Sequence, residues 1–454
     1  MTPSADVECV VVGAGVAGLA AATTLRRAGR DVLVLEAGAR AGGAACSERI
    51  DGHLVERGPN TIRIPPAMAA FAAEHGLVAL LEKALPASGE RFLVRGGRLV
   101  PVPMSPVGFA RTPLLTRGGK LRLLAEPFVR RGDPSGESVA EFSKRRFGCE
   151  TRDALIAPFL TGVYAGDENQ LGAEAVFPTL VEAERHSGSV ALGILARALR
   201  SGSKGSFGGT WSAAGGIAAL TDALAGQLGT ALRLRAPVSA IGFEDGSHRV
   251  EIAGENGFEW IRAKALVVAT PAHEAGMLLA GLDPEAAKGL ASIDYAPVAS
   301  VALSIARDAT RVAVRGFGYL VPRGEGEALL GCLFPSQLFA GRAPPGRELL
   351  TLLAGGKRRP EALAWSDDQL VTALCAELDR VLGLRETPRV LAITRWPRAV
   401  PQPGRDHPGL VAKVRERLAR FPRLALAGAH LDGVAFGDAL ASGARAARLV
   451  MEER

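Results

Sequence analysis

The chain has few of the residues that build disulfide frames and metal centres. Its 454 residues include five cysteines and seven histidines. Cys9, Cys46, Cys149, Cys332 and Cys375 are scattered, odd in number and form no C-x-x-C pair. That suits a reducing compartment and speaks against a disulfide scaffold or a zinc site. The histidines are isolated, so no metal site is expected. No unbroken apolar run reaches about 18 residues, so no spanning helix is expected. MTPSADVE passes directly into a strand-like VVVG. A basic n-region, an apolar h-region and a small-residue cleavage site are missing, and no secretion signal is expected. No Ser/His/Asp pattern names a nucleophile or a conventional base, so the catalytic residues stay unassigned. What remains is 48% apolar and 22% charged, the composition of a globular chain of two or three domains. The net charge of +7 permits an acidic substrate or an anionic membrane surface.

The richest signal is VVVGAGVAGLAAATTL, from Val10 to Leu25. Glu8 to Val12 reads as a buried parallel strand. Gly13, Ala14, Gly15, Val16, Ala17 and Gly18 then carry G-x-G-x-x-G into an alanine-rich helix. A second strand, Asp31 to Leu35, ends in Glu36 and Ala37. This is the strand–turn–helix–strand context of a dinucleotide site. Gly13 permits the tight turn, Gly15 lets backbone approach a pyrophosphate, and Gly18 packs helix on sheet. The helix N-terminus offers N–H groups and a partial positive charge. Glu36 sits where a carboxylate accepts ribose hydroxyls, which disfavours a 2′-phosphate and so NADP.

Four further segments favour FAD over NAD. Arg40-Ala41-Gly42-Gly43, followed by Ala44, resembles the extension of glutathione-reductase-like FAD oxidases. Glu56 to Arg63, ERGPNTIR, supplies Gly58, Pro59, Asn60 and Thr61. Lys264 to Pro271 is a short strand ending in the A-T-P turn of such folds. At the other end, Leu424 to Ala447 reads as strand, glycine turn and small-residue helix, able to aim N–H groups at a flavin. GGIAALTDAL reads as a turn into a helix. No second G-x-G-x-x-G stands in a strand–helix context, so no separate nicotinamide site is expected.

Beyond these segments the chain resembles the protoporphyrinogen oxidases almost end to end. GPNTIR, RFLVRGGRLVPVP (Arg91 to Pro103), FSKRRFG, PFLTGVYAGDENQLGAEAVFPTLVEAERHSGSV and GFGYLVP (Gly316 to Pro322) carry the likeness. The chain departs from the pattern at Pro401 to His407, where a tyrosine, a leucine and a glycine are replaced. It departs again at Gly437 to Leu440, where an asparagine and a cysteine are lost. The resemblance implies that Val238, Trp396, Ala429, Val434, Ala435 and Phe436 also line a noncovalent FAD. It implies oxidation of protoporphyrinogen IX to protoporphyrin IX in haem synthesis. Three two-electron rounds would each send a hydride to the flavin N5, with oxygen as acceptor. Coproporphyrinogen III, an amine or a secondary metabolite are the alternative substrates, and a porphyrin-binding flavoprotein without turnover is the non-enzymatic alternative.

A porphyrinogen is large, apolar and carboxylated, so its site should be a wide apolar cavity with arginine at the mouth. Arg91 is the first candidate for that role. Arg63 is a second, with a structural place beside the flavin as its rival. Gly162, Phe317, Leu320 and Leu353 are the candidate apolar walls. Between Arg91 and Arg131 stand nine basic residues and one acid, Glu126, interleaved with Met104, Val107, Phe109, Leu121, Leu124 and Phe128. That mixture suits attachment to an anionic lipid surface, and no nucleic-acid module is recognised.

The expected fold is α/β: a Rossmann-like FAD domain of the glutathione-reductase/amine-oxidase type, with a mixed α+β substrate domain and a helical membrane-facing domain. The FAD domain would span residues 1–85, 205–272 and 399–454. The helical domain would span 86–204. The substrate domain would span 273–398, with strands at Val298 to Ile305 and Gly316 to Val321. RGDPSGE, Arg131 to Glu137, reads as a turn. The expected location is cytoplasmic, peripheral on the inner face of the cell membrane, with a homodimer as relatives would suggest.

Overall fold

The computed structural model describes residues 5–200, 207–254 and 257–452. Strand Ala5–Val12 lies at the centre of the first sheet. Its valines at 10 and 11 are fully buried, which a continuous apolar run requires when helices cover both faces. It pairs in parallel with Val32–Leu35 on one side and with Gly257–Val268 on the other. Leu424–Leu426 pairs in parallel with the end of that third strand. The N-terminal, middle and C-terminal parts of the chain therefore build one sheet. Helix Val16–Arg27 covers it, and helix Phe436–Met451 packs alongside. A Cβ on Gly443 would stand 1.9 Å from the Ala17 carbonyl oxygen, so the two backbones touch with no side chain between them.

The second sheet has seven strands. Its long members are Tyr295–Ala306, Arg347–Gly355 and Arg389–Pro401, all antiparallel. The strand expected over Val298 to Ile305 lies within the first of these. The one expected over Gly316 to Val321 is shorter, Gly318–Leu320. Helix Asp367–Leu382 buries Leu370, Leu374 and Leu378 against this sheet, and Ser366 with Gln369 closes its start as a capping box.

One boundary changes. Phe92–Arg95 and Arg98–Pro101 form a hairpin that joins this second sheet through Gly318–Leu320. The segment from residue 86 therefore opens with a 3-10 turn, Pro86–Gly89, and then this hairpin, because Phe92, Leu93 and Val94 are buried in the sheet. Helices follow from Pro106 onward, among them Arg117–Leu124, Val139–Phe147, Ala157–Tyr164, Pro178–Ser187 and Val190–Arg200. Among the described residues no helix is long and apolar enough to cross a membrane.

A buried ion network holds these helices together. Arg146 and Glu184 are fully buried and Glu126 nearly so, and Arg146 pairs with both acids. Glu126 accepts hydrogen bonds from Ser189 Oγ at 2.6 Å and from the Val190 and Ala191 N–H groups at 2.9 and 3.0 Å. It thus caps the start of helix Val190–Arg200. The single acid between Arg91 and Arg131 is consequently turned inward, leaving the outer face of that segment basic and apolar.

Candidate active site

The glycine fingerprint forms a loop at the carboxyl end of Ala5–Val12. A Cβ on Gly18 would lie 1.8 Å from the Gly13 carbonyl oxygen, so only glycine lets the helix begin so close to its own turn. A Cβ on Gly15 would meet nothing within 4 Å. The room in front of Gly15 is the cradle that a pyrophosphate needs. The helix that starts there has Gly15 as its N-cap and no side chain capping it.

The second glycine pair closes on this loop. Gly42 N–H donates to the Ala14 carbonyl at 2.8 Å, and Gly15 and Gly42 form an isolated parallel bridge. Gly42 takes a φ of +100°, which an L side chain rarely adopts. Arg40 folds its guanidinium over the turn and donates to the carbonyls of Ala41, Gly43 and Ala45. Its role here is to hold the loop's shape. Glu36 accepts from Ala14 N–H and Gly38 N–H, both at 2.7 Å. Ala236 N–H donates to the backbone carbonyl of Glu36 at 2.8 Å, which brings the segment leading into Val238 alongside Glu36. Ala37, Gly43 and Ala44 are exposed, whereas Val16 and Val238 are half-buried.

The groove continues past Gly58, where a Cβ would meet the Ala44 carbonyl oxygen at 1.9 Å. Asn60 donates to the Gly58 carbonyl at 3.2 Å, but its side-chain oxygen is buried with no partner. Thr270, in the A-T-P turn, also has a buried hydroxyl without a partner. Buried polar atoms are normally paired, so these two orphans on the loops around the groove fit a bound molecule rich in donors and acceptors, as a flavin is. Thr270 itself was overlooked in the sequence reading, which took the A-T-P turn only as a strand end.

Trp396 stands on strand Arg389–Pro401 and donates its indole N–H to the Arg57 carbonyl at 2.8 Å. This bond ties the second sheet to the Gly58–Thr61 stretch. Ala429 opens a short turn, and Val434 and Ala435 lead into helix Phe436–Met451, whose N-cap is Ala435. Beside this helix start lies Tyr164, which the sequence did not single out. Burial, with the nearby Asp438 carboxylate adding to it, pushes the Tyr164 hydroxyl up to about 12. Burial likewise raises the Asp438 carboxyl. His430 is buried, and burial with the charges of His407 and His273 holds its imidazole down to about 4. It is neutral at physiological pH. Among the described residues no His, Cys, Asp and Glu cluster has metal-binding geometry.

The five candidate substrate residues fall into two groups. Gly162, on helix Ala157–Tyr164, faces Leu320: a Cβ there would lie 2.9 Å from a Leu320 methyl. Leu320 also lies over Gly331, and Leu353 pairs with Gly331 across the second sheet. These three residues make one apolar wall. Arg91 and Phe317 form the second group. The Arg91 guanidinium lies 4.5 Å from the centre of the Phe317 ring, and its other contact is Thr210 Oγ1 at 3.5 Å. Gly318–Leu320 connects the groups, because Phe317 directly precedes it.

The 401–407 stretch packs against the helical segment through Gln402 and Gly404. Gln402 donates to the Tyr164 carbonyl at 2.8 Å and the Val400 carbonyl at 3.0 Å. Gly404 bridges to Leu171, so this segment clamps helix Ala157–Tyr164 in place. Gln170, Ser292, Asp294, Gln402 and His407 border a separate cleft of about 350 Å³ outside the groove.

Comparison with known proteins agrees with this geometry. The family model for flavin containing amine oxidoreductases matches residues 16–451. The chloroplast protoporphyrinogen oxidase of Nicotiana tabacum is 32% identical over 462 residues, covering 96% of this chain and 84% of the tobacco protein. The coproporphyrinogen III oxidase of Bacillus subtilis is 26% identical over 96% of both chains. A crystal structure from Exiguobacterium sp. 255-15 superimposes with a TM-score of 0.83 at 26% identity, covering 99% of this chain and 100% of that one. Cyclohexylamine oxidase from Brevibacterium oxydans shares the fold with a TM-score of 0.71. With its two-ended glycine groove and a family match over nearly its whole length, this chain belongs to the flavin containing amine oxidoreductases.

Proposed function

We propose that this protein is an FAD-dependent porphyrinogen oxidase that converts protoporphyrinogen IX to protoporphyrin IX, with oxygen as electron acceptor. The observation that carries the reading is the end-to-end likeness to proteins named protoporphyrinogen oxidase, 30–32% identical over 95–97% of this chain. FAD, when bound, supplies the two-electron oxidation. The chain's own residues do the rest. The Gly13–Gly18 loop and the Gly42–Gly43 turn hold the phosphates, Glu36 takes the ribose, and Asn60 and Thr270 satisfy their orphan atoms on the cofactor. Gly162, Leu320 and Leu353 give an apolar wall that keeps water from the ring and orients it. Arg91 anchors a carboxylate. Tyr164 keeps its proton at physiological pH and adds no charge to that wall.

The test is direct. Purified protein should be yellow, and protoporphyrinogen IX added under air should give porphyrin fluorescence well above the uncatalysed rate. Coproporphyrinogen III run in parallel decides the substrate. Faster turnover of coproporphyrinogen III would replace the first substrate with the second. A colourless protein that takes up no flavin would overturn the reading.

The same chain is proposed to sit on an anionic membrane through its helical segment, in the cytoplasm. Met104, Val107, Leu121, Leu124 and Phe128 are exposed there, Phe128 by 90%, and Leu192, Leu195 and Leu199 are exposed on helix Val190–Arg200. Arg111, Arg117, Lys120, Arg130 and Arg131 lie among them. Exposed apolar side chains with basic neighbours favour partition into an anionic interface. Co-sedimentation with phosphatidylglycerol vesicles, lost in Phe128→Glu/Leu199→Glu, tests it; equal sedimentation of the variant removes it.

A further inference from the structure

Two arginines, Arg63 and Arg91, converge on a small three-stranded sheet. Its strands are Ile62–Ile64, Phe207–Ala213 and Leu81–Lys83, with the second in the middle. Ile62 and Ile64 are buried in the cofactor-domain core, so Arg63 between them points to the opposite face and is exposed. The register shifts between Ile62 and Ile64. A bulge of that kind re-aims a side chain. Arg91 reaches the middle strand, Phe207–Ala213, from outside the sheet, through Thr210. Ile62 pairs with Trp211, so Thr210 and Arg63 share the face opposite to Trp211. Lys83 lies over the Trp211 ring, 5.9 Å from its centre, on the other face.

The two guanidiniums feel each other. Burial, and then the charge of Arg63, make Arg91 harder to keep protonated than a free arginine. Yet among the described residues neither Arg63 nor Arg91 makes an ion pair. The nearest acid in sequence, Glu90, is engaged by Arg315 at 3.5 Å. Arginines elsewhere on this surface are commonly paired with carboxylates, as Arg57 is with Glu48, Arg233 with Glu259 and Arg405 with Glu141. Two like charges left together at the edge of an apolar wall are stabilised by an anion that bridges them. The Phe317 ring fixes one guanidinium and a β-strand fixes the base of the other, so little ordering remains to be done on binding.

We propose that Arg63 joins Arg91 as a paired carboxylate clamp that holds two neighbouring propionates of the macrocycle and so selects a substrate with free carboxylates. The inference rests on the porphyrinogen reading and adds a specificity-determining residue to it. Neighbouring propionates on adjacent pyrroles match two guanidiniums brought to one strand face, and each planar fork takes one carboxylate.

The experiment compares FAD-loaded wild type with Arg63→Gln on protoporphyrinogen IX and on its dimethyl ester. The clamp requires KM for the dicarboxylate to rise tenfold or more in the variant, with kcat within threefold, while KM for the ester moves less than threefold. Flavin absorbance per mole of protein must equal that of wild type. Arg63→Lys keeps the charge and the stem, and should show a smaller loss on the dicarboxylate alone; it also serves if the glutamine variant does not fold. Equal losses on both substrates, no loss on the dicarboxylate, or loss of flavin from both variants would overturn the clamp. Should the wild type oxidise no porphyrinogen, quenching of its tryptophan fluorescence by protoporphyrin and by the dimethyl ester carries the same comparison. Failure of the oxidase reading and failure of the clamp are therefore read separately.

Discussion

Gly443→Ala is the sharpest probe of how the cofactor groove is assembled. The added methyl carbon would stand 1.9 Å from the Ala17 oxygen and 2.8 Å from its carbonyl carbon. A carbon and an oxygen in contact settle near 3.3 Å, so helices Val16–Arg27 and Phe436–Met451 must part by roughly 1.4 Å. The obstacle is backbone, with no flexible side chain to swing aside. Alanine gains about 1 kcal/mol of helix propensity over glycine in the middle of a helix. Overpacking of a tight interface costs typically about 1–3 kcal/mol, and a forced backbone separation belongs at the upper end of that range. The net loss is on the order of 1–2 kcal/mol. Ala17 lies inside the fingerprint, so the displacement is delivered to the cofactor loop itself. Flavin fluorescence quenching should report a Kd for FAD raised about tenfold, which corresponds to about 1.4 kcal/mol. Urea unfolding followed by circular dichroism should shift to lower denaturant. A variant with unchanged FAD affinity and unchanged unfolding would refute the claim that these two helices meet backbone to backbone.

Two more outcomes follow from buried charge. His430 is nearly fully buried with its pKa held at about 4, below the unfolded value of about 6.5. Its contribution to stability is whole above pH about 6.5 and is lost as pH falls toward 4, by roughly 3 kcal/mol in all. His430→Gln should flatten the fall in melting temperature across that window; an unchanged slope would show that the ring titrates freely. Glu126 works at lower pH. Burial pulls its carboxyl up, but hydrogen bonds from Ser189, the Ala191 and Val190 N–H groups and Arg146 outweigh that and lower it. Its stabilisation is present above the ordinary carboxylate range and fades as pH falls below it. Glu126→Ala strips a buried partner from Arg146 and the cap from helix Val190–Arg200, a loss of about 3 kcal/mol. Limited proteolysis should then cut within residues 104–200, and resistance equal to wild type would argue against the network.

The local elements were legible because they rest on short-range rules. Gly13, Gly15 and Gly18 between an apolar strand and an alanine-rich helix specify a turn by sterics alone, and the strand Ala5–Val12 and helix Val16–Arg27 stand where that pattern puts them. Arg91, Gly162, Phe317, Leu320 and Leu353 are separate candidates in the sequence, and only the fold puts Arg91 beside Phe317 and Gly162 against Leu320, since nothing local links residues so far apart. The helical domain expected over 86–204 includes the hairpin at 92–101, whose short runs become strands because Gly318–Leu320 is there to pair with them.

The sequence by itself determined the dinucleotide turn, the carboxylate at Glu36 and the basic, apolar character of residues 91–131. These depend on backbone sterics and on composition, which act over a few residues. Tertiary structure alone decided that Glu126 turns inward, that Gln402 clamps the helix carrying Tyr164, and that Arg91 reaches the small sheet that carries Arg63. Each of those facts joins segments tens to hundreds of residues apart, and such meetings are set by which surfaces can pack together, a property no local pattern encodes.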